Sequence, residues 1–463
     1  MAVSGWFVLL VALGAVPIVA FDEPLWLPGW IVIVLVLGAV DLALAGSPRR
    51  LLPARELPER LRLGESGTST LFLSNTGRRR VHGIVRDGWQ PSAGAAPTRA
   101  RIDLPPGERR AVTTTLTPFR RGERRTAQVT VRSFGPLRLL ARQATLEAPG
   151  AIRVLPRFSS RRHLPSRLAR LRELDGRTSV MLRGHGTEFD SLREYVRGDD
   201  VRSIDWRATA RRSDPATGLG PQLVVRTWRP ERDRRIVIVV DSGRSSAARI
   251  SSSLSPFRSD VVPGTATSDR NGDNEGSEPR IDTAFESALL LAALATRAGD
   301  RVDLLVYDRR VRARVHGATG PELLARMVDA MAPIEPELLE PDWAAVPGLV
   351  RSATSQHALV VLLTTADSPA SASGLLAILP RLTRSHTVMV ASVTDPEVLR
   401  VAAERGDRAA IYRAAAAERA LLDASRVSAA LRQCGAEVVT GTPAGLPPAV
   451  ADRYLDLKAA GRL

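Results

Sequence analysis

Four short, almost wholly apolar runs separated by stretches of helical pattern constrain the second half of this chain more than any other feature. They occupy residues 236–240, 302–307, 358–364 and 387–393. A strand with one wet face alternates apolar and polar residues, whereas a strand apolar throughout must be covered on both sides. Helical patterns fill residues 281–298, 321–331, 370–382 and a long Ala-rich stretch at 398–431. A short strand at 437–440 and a last helix at 449–459 follow. This alternation predicts a doubly wound α/β domain over residues 236–463. Residues 249–280 break the pattern: they are rich in Ser, Asp, Gly and Pro, and poor in apolar residues. They read as a disordered insertion just after the first strand, at the rim where such sheets bind ligands.

The N-terminus obeys different rules. Residues 6–21 and 25–45 are apolar apart from Asp41, with the turn Asp22-Glu23-Pro24 between them. Crossing a bilayer takes about 20 apolar residues, and about 17 at the least. The second segment qualifies; the first is short and carries Pro17. No Lys or Arg precedes the first run, as a secretory signal would require. Residues 1–50 therefore read as a transmembrane helical hairpin. Arg49, Arg50, Arg55, Arg60 and Arg62 crowd its exit. The positive-inside bias then keeps the bulk of the chain cytoplasmic, as a multi-pass protein of the cytoplasmic membrane. Trp6, Trp26 and Trp30 suit the interface, and Asp41 is expected to snorkel towards it.

Between these parts, residues 51–150 carry short β-type runs at 68–73, 81–85, 102–104, 111–116 and 128–131, punctuated by Gly, Pro and Asn-Thr-Gly turns. That spacing predicts a small antiparallel β-sandwich, read as a spacer or docking surface. Residues 151–235 form an Arg-rich connector.

Charge and motif arithmetic narrow the chemistry. Lys+Arg 65 against Asp+Glu 49 leaves +16, nearly all of it arginine, since Lys458 is the sole lysine. The excess favours anionic neighbours, of which the inner membrane leaflet is nearest. Aromatic residues are only 4% of the chain, too few for the stacking that nucleic-acid readers use. A P-loop needs G-K-[ST], which a single lysine in the last helix cannot provide. There is no G-x-S-x-G elbow, and the six histidines have no zinc spacing. The one cysteine, Cys434, reads as a small hydrophobe.

The connector ends in the densest motif of the chain, FDSLREYVRGDDVRSIDWRATAR at residues 189–211. It sets Asp190, Glu194, Asp199, Asp200 and Asp205 among five arginines around Tyr195 and Trp206. The motif closely resembles the signature of the bacterial family known as domain of unknown function 58. FRRGE at 119–123, SFGPLRL at 133–139, VLPRF at 154–158 and the ending YLDLKAAGRL extend the resemblance from about residue 60 onward. The resemblance implies a von Willebrand factor A-like domain and association with MoxR-type AAA+ ATPases. Within the motif, Arg193, Tyr195, Gly198, Asp199, Asp200, Arg202, Asp205, Trp206 and Arg211 admit two readings. One is a structural brace in which Arg193, Arg202 and Arg211 pair with Asp199, Asp200 and Asp205 while Tyr195, Ile204 and Trp206 pack on the sheet. The other is a partner-binding face.

Von Willebrand A domains often hold a divalent cation through D-x-S-x-S with a Thr and an Asp from further loops. Here the first loop reads Asp241-Ser242-Gly243-Arg244-Ser245, so Asp241 and Ser245 match while Gly243 lacks the middle hydroxyl. Asp367 supplies the last carboxylate, Asp342 is the stand-in candidate for the Thr, and Arg244 adds a competing charge. The set reads either as a weakened Mg²⁺ or Mn²⁺ site or as a remnant whose Asp241 caps the next turn. The expected function is that of a membrane-anchored, non-enzymatic adaptor whose von Willebrand A-like domain engages a MoxR-type ATPase, as the resemblance implies, with clients unspecified. The alternative is a metal-dependent hydrolase using the motif's carboxylates and Asp241.

Overall fold

The apolar run after Pro28 folds as one helix. The computed structural model describes residues 2–16, 26–181, 188–196, 201–212, 223–229, 234–251 and 277–463. The chain forms two units, the first chiefly residues 1–158 and the second chiefly residues 159–463.

In the first unit, β1 (Ala2–Val3) leads into α1 (Gly5–Leu13), capped by Ser4, whose side chain accepts the Phe7 amide at 3.3 Å. At 1.5 Å per residue, α1 covers about 14 Å, half the hydrocarbon thickness of a bilayer. The longer α2 (Trp26–Leu44) belongs to a span, Pro28–Arg50, that alone among the described residues is long and apolar enough to cross. The expectation of several passes therefore has no support from the first segment. The two helices touch: Trp30 Nε1 donates to the Leu10 carbonyl at 2.8 Å. Gly38 admits the Phe7 ring and the Leu140 side chain, each 3.1 Å from where a Cβ would stand.

Asp41 does not snorkel; it is fully buried. Its carboxylate accepts the amides of Leu137 and Leu139 at 2.8 Å and Leu140 at 3.1 Å, from a turn nearly a hundred residues away.

That turn belongs to a two-sheet body made of β2 (Leu51–Glu56), β3 (Arg60–Arg62), β4 (Gly67–Asn75), β5 (Val81–Trp89), β6 (Ala95–Ala96), β7 (Arg99–Leu104), β8 (Arg109–Leu116), β9 (Gly122–Phe134) and β10 (Leu140–Leu155). One sheet runs β1-β10-β9-β5-β7, with β3 beside β10; the other runs β2-β4-β8-β6. Neighbours are antiparallel except β3 and β10. Strand β10 continues past residue 150, where the sequence suggested the sandwich would end. Leu51, Leu71 and Leu73 of the second sheet share a core with Val85, Ile102, Val129 and Val131 of the first. A buried ion pair also joins the sheets: Arg55 forks onto Asp87 at 2.7 and 2.8 Å, and Trp89 Nε1 donates to the same carboxylate at 2.9 Å.

The second unit opens with α3 (Leu164–Met181), so the connector is partly helical. Then come β11 (Glu188–Glu194), α4 (Trp206–Arg212), β12 (Val224–Arg229), β13 (Arg235–Asp241), β14 (Arg249–Ser251), β15 (Ser277–Pro279) and α5 (Arg280–Arg297). The remainder is β16 (Arg301–Tyr307), β17 (Val311–Val315), α6 (Gly320–Met331), α7 (Val346–Ala353), β18 (Ala358–Leu363), α8 (Pro369–Thr383), β19 (Thr387–Val393), α9 (Pro396–Ala402), α10 (Arg408–Gln433), β20 (Glu437–Gly441) and α11 (Leu446–Ala459). The main sheet has the order β17-β16-β13-β18-β19-β20, parallel except for the edge strand β17. Val237, Val239, Leu305, Val360, Leu362 and Val390 meet Trp343, Val346, Leu375, Leu379 and Leu431 on one face. On the other, α5 packs on β13 and β16, and α11 packs on β19, β20 and α5. Both faces are covered, which is why these strands read as unbroken apolar runs.

Two boundaries differ from those the sequence suggested. The Ala-rich stretch is two helices, because the chain breaks around Gly406 and Asp407 caps α10 by accepting the Ala410 amide at 2.7 Å. The proposed insertion is narrower at both ends: β14 pairs with β15, and Arg280 already starts α5. The expectation of disorder between these strands lies outside the described residues.

Candidate functional site

In an open parallel sheet, loops at the carboxyl ends of the strands converge where the winding reverses. Here β13 lies between β16 and β18, so that place is the end of β13, at Asp241. Asp241 is 2% exposed. Its Oδ1 accepts the Gly243 amide at 2.7 Å, and its Oδ2 accepts Ser245 Oγ at 2.8 Å and Thr364 Oγ1 at 2.7 Å. Burial pushes its carboxyl above the usual carboxylate range, against the opposing pull of the Thr364, Gly243 and Ser245 donors.

Thr364, a donor the sequence did not single out, directly follows β18, whose register places Leu363 beside Val240. Asp342, the stand-in candidate, instead caps a turn by accepting the Ala344 amide at 3.1 Å. Asp367 pairs with Arg280 at the start of α5. This pair lines a cleft of about 360 Å³, walled by Val398, Leu399, Leu421 and Ala424.

Residues 336–342 run across the Asp241 loop. The Glu337 amide donates to the Ser242 carbonyl at 2.9 Å, and the Arg244 amide donates to the Leu339 carbonyl at 2.8 Å. Asp308, after β16, is equally engaged: it accepts Ser242 Oγ at 3.3 Å and Arg310 N at 3.0 Å, and pairs with Arg312 at 3.1 Å. Among the described residues no three His, Cys, Asp or Glu side chains group as metal ligands. A divalent cation wants several free oxygens, and the carboxylate here already has three internal donors. With Asp367 also held by Arg280, the set leaves a divalent cation few free oxygens.

The motif at 189–211 folds as a separate two-stranded ribbon, with β11 antiparallel to β12. Asp205 holds its corner. Its Oδ1 accepts the Arg207 and Ala208 amides at 3.0 Å each, capping α4, and its Oδ2 takes Arg226 Nε at 2.7 Å. The Ala208 amide and then Arg226 hold this carboxyl below the usual range. Thr209 Oγ1 accepts the Val224 amide at 3.0 Å, and the Tyr195 amide reaches the Leu223 carbonyl at 2.8 Å.

Among the described side chains, Asp205 is braced by Arg226 of β12, which lies beyond the motif. Arg193 donates to the Glu194 carbonyl at 3.2 Å. Arg197, Gly198, Asp199 and Asp200 lie outside the described residues, as do the side chains of Asp190, Arg202 and Arg211. Ile204 is buried as expected and Tyr195 is half-buried, but Trp206 is 67% exposed. Trp206 is the first residue of the seven-residue α4. Leu192, Val196 and Val201 of the same motif are exposed too.

Residues 191–404 match the family described as "Protein of unknown function DUF58", which supports placing the chain in that family. No curated protein matches the chain. Among solved structures, the chain is similar to the CARDB domain of the PF1109 protein from Pyrococcus furiosus, solved with di-metal ions, at 17% identity and a TM-score of 0.18. That likeness covers 22% of this chain and 91% of that one. A β-glucosidase from Listeria innocua in complex with glucose shares 20% identity over 22% of this chain and 16% of that chain, with a TM-score of 0.14. The ASH/PapD-like domain of human CEP192 shares 14% identity over 23% of this chain and 84% of its own, with a TM-score of 0.16.

Proposed function

We propose that this chain is a membrane-anchored, non-enzymatic adaptor that captures a protein partner on the exposed face of its 189–211 motif. The observation that carries the reading is Trp206, 67% exposed on a short helix fixed by the Asp205–Arg226 pair. A large aromatic held rigidly in solvent costs little ordering entropy when it docks, and tryptophan is enriched where interfaces concentrate their energy. The partner is a MoxR-type AAA+ ATPase, as the family resemblance implies. The sheet order, with winding reversed at β13, supports reading the second unit as von Willebrand A-like. The contact of Trp30 with Leu10 supports a hairpin of α1 and α2, and Arg49 and Arg50 at its foot favour a cytoplasmic body.

A hydrolase gains no such support. The Asp205 and Asp241 carboxylates each already accept three internal hydrogen bonds, so little of either is left to activate water. The deciding experiment is a pull-down from detergent-solubilised membranes with the parent and Trp206→Ala. Loss of the ATPase with an unchanged melting temperature supports the docking face. Equal capture by both proteins sinks it.

A further inference from the structure

Three hydrogen bonds to Asp41 fix where the two-sheet body meets α2. Leu137, Leu139 and Leu140 donate their amides to a carboxylate inside the apolar helix, and Arg142 Nε donates to the Leu42 carbonyl at 2.9 Å. Higher up, the Leu140 side chain rests on Gly38. Gly38 lies six residues before the end of α2, about 9 Å along its axis. The β9–β10 turn and its partner β1 therefore run beside the helix at depths where the helix is still apolar. Their outward side chains match that depth: Val3 is 60% exposed and Leu137 53%. Arg138 follows with φ +55°, a conformation rare outside glycine, which marks this as a tightly specified turn.

A second tier lies at the foot of the helix. Arg49 and Arg50 form a 3₁₀ turn directly after it. The β4–β5 turn is tied to the same place, because Thr76 donates its amide and hydroxyl to the Arg50 carbonyl at 3.1 and 2.6 Å. Gly46 lets the Arg80 carbonyl approach within 2.3 Å of where a Cβ would stand. Asp103 takes up Arg80, but among the described residues no carboxylate pairs with the exposed Arg49, Arg50, Arg78 or Arg79.

We infer that the first unit is itself a membrane-interface module: Val3 and Leu137 insert beside α2, and Arg49, Arg50, Arg78 and Arg79 bind anionic phospholipid headgroups. The inference rests on the membrane-anchored reading above. An apolar tip below a cationic rim is the arrangement that lies in an interface plane, and juxtamembrane arginines concentrate anionic lipid.

The test uses the full chain in lipid nanodiscs, with Cys434→Ser and one environment-sensitive label at either Leu137→Cys or Val36→Cys. A label at 137 is expected to be quenched by lipids brominated near the headgroup, and a label at 36, about 12 Å up α2 from its end, by lipids brominated deep in the acyl chains. Phosphatidylglycerol should deepen that quenching over phosphatidylcholine, and the double variant Arg78→Gln/Arg79→Gln should remove the difference. If the label at 36 is quenched but that at 137 is not, the anchor stands and the interface module is wrong. Quenching at 137 that ignores lipid charge overturns the headgroup part. If neither label is quenched, the membrane reading fails and takes the inference with it.

Discussion

Asp205 and Arg226, one at the start of α4 and the other in β12, meet at 2.7 Å and close the ribbon that carries Trp206. The same carboxylate caps α4 through two backbone amides, so one side chain fixes both the strand pair and the helix axis. Asp205→Ala is therefore expected to lower the melting temperature of the ribbon, and Asp205→Asn, which keeps the cap, to lower it less. The pH dependence has a definite sign. With the folded-state carboxyl below its unfolded value, the contribution is complete at neutral pH and is lost as pH falls through the acid range. Parent and Asp205→Asn should converge in acid; parallel melting curves at every pH would contradict this.

The sequence revealed what depends on local pattern and missed what depends on distant pairing. The buried strands at 236–240, 358–364 and 387–393 were legible because double-sided burial leaves few polar residues in them. Thr364 was not, since its partner Asp241 is 123 residues away. One signal existed: parallel neighbours end together, so the residue after β18 must face the end of β13. Asp41 looked like a membrane-edge carboxylate because its amide donors lie nearly a hundred residues on. Trp206 looked buried because a large aromatic usually is. Only the ribbon geometry, with Asp205 turning the chain, puts it outside.

The sole lysine has a structural task. Lys458 of α11 donates to Asp300 at 2.9 Å and to Tyr454 Oη at 3.2 Å, while Tyr454 donates to Asp300 at 2.5 Å. Asp300 and Lys458 are both nearly sealed from solvent. Lys458→Met would leave a buried carboxylate without its cation, a loss of about 3–5 kcal/mol. Burial already holds the Asp300 carboxyl above its usual range, opposed first by Lys458. Removing that cation raises it further, so the deficit should be small in acid, where Asp300 is protonated, and grow as pH rises. Adding Asp300→Asn should restore much of the loss. Chemical denaturation across pH decides it, and a deficit independent of pH would mean lost packing alone.

Asp241 should behave oppositely to Asp205. Its folded-state carboxyl is raised, so the folded form retains a proton that the unfolded chain releases. This group's contribution therefore declines as pH rises from its unfolded value towards its folded one. Asp241→Asn should flatten that slope while keeping an acceptor for the neighbouring donors. Asp241→Ala strands the Thr364 and Ser245 hydroxyls and the Gly243 amide, at about 1–3 kcal/mol for each donor left buried and unpaired. A chelator should leave the parent's melting temperature unchanged. A fall on chelation, abolished in Asp241→Asn, would restore a working metal site.

Gly243→Ser offers the sharpest test of why the site is incomplete. On sequence alone, the substitution restores the missing middle hydroxyl of D-x-S-x-S and should improve Mg²⁺ binding. In the fold, a Cβ at 243 would stand 2.7 Å from the Leu339 carbonyl oxygen and 3.0 Å from Pro341 Cδ. Neither neighbour can swing aside freely, because the Arg244 amide holds Leu339 and the Glu337 amide holds Ser242. The added side chain must push the 336–342 segment off the loop, at about 1–3 kcal/mol for an overpacked contact. Gly243→Ser is therefore expected to lower the melting temperature with no gain in Mg²⁺ or Mn²⁺ affinity by titration calorimetry. A variant as stable as the parent that binds Mg²⁺ would show that the covering segment yields, and that one hydroxyl was all the site lacked.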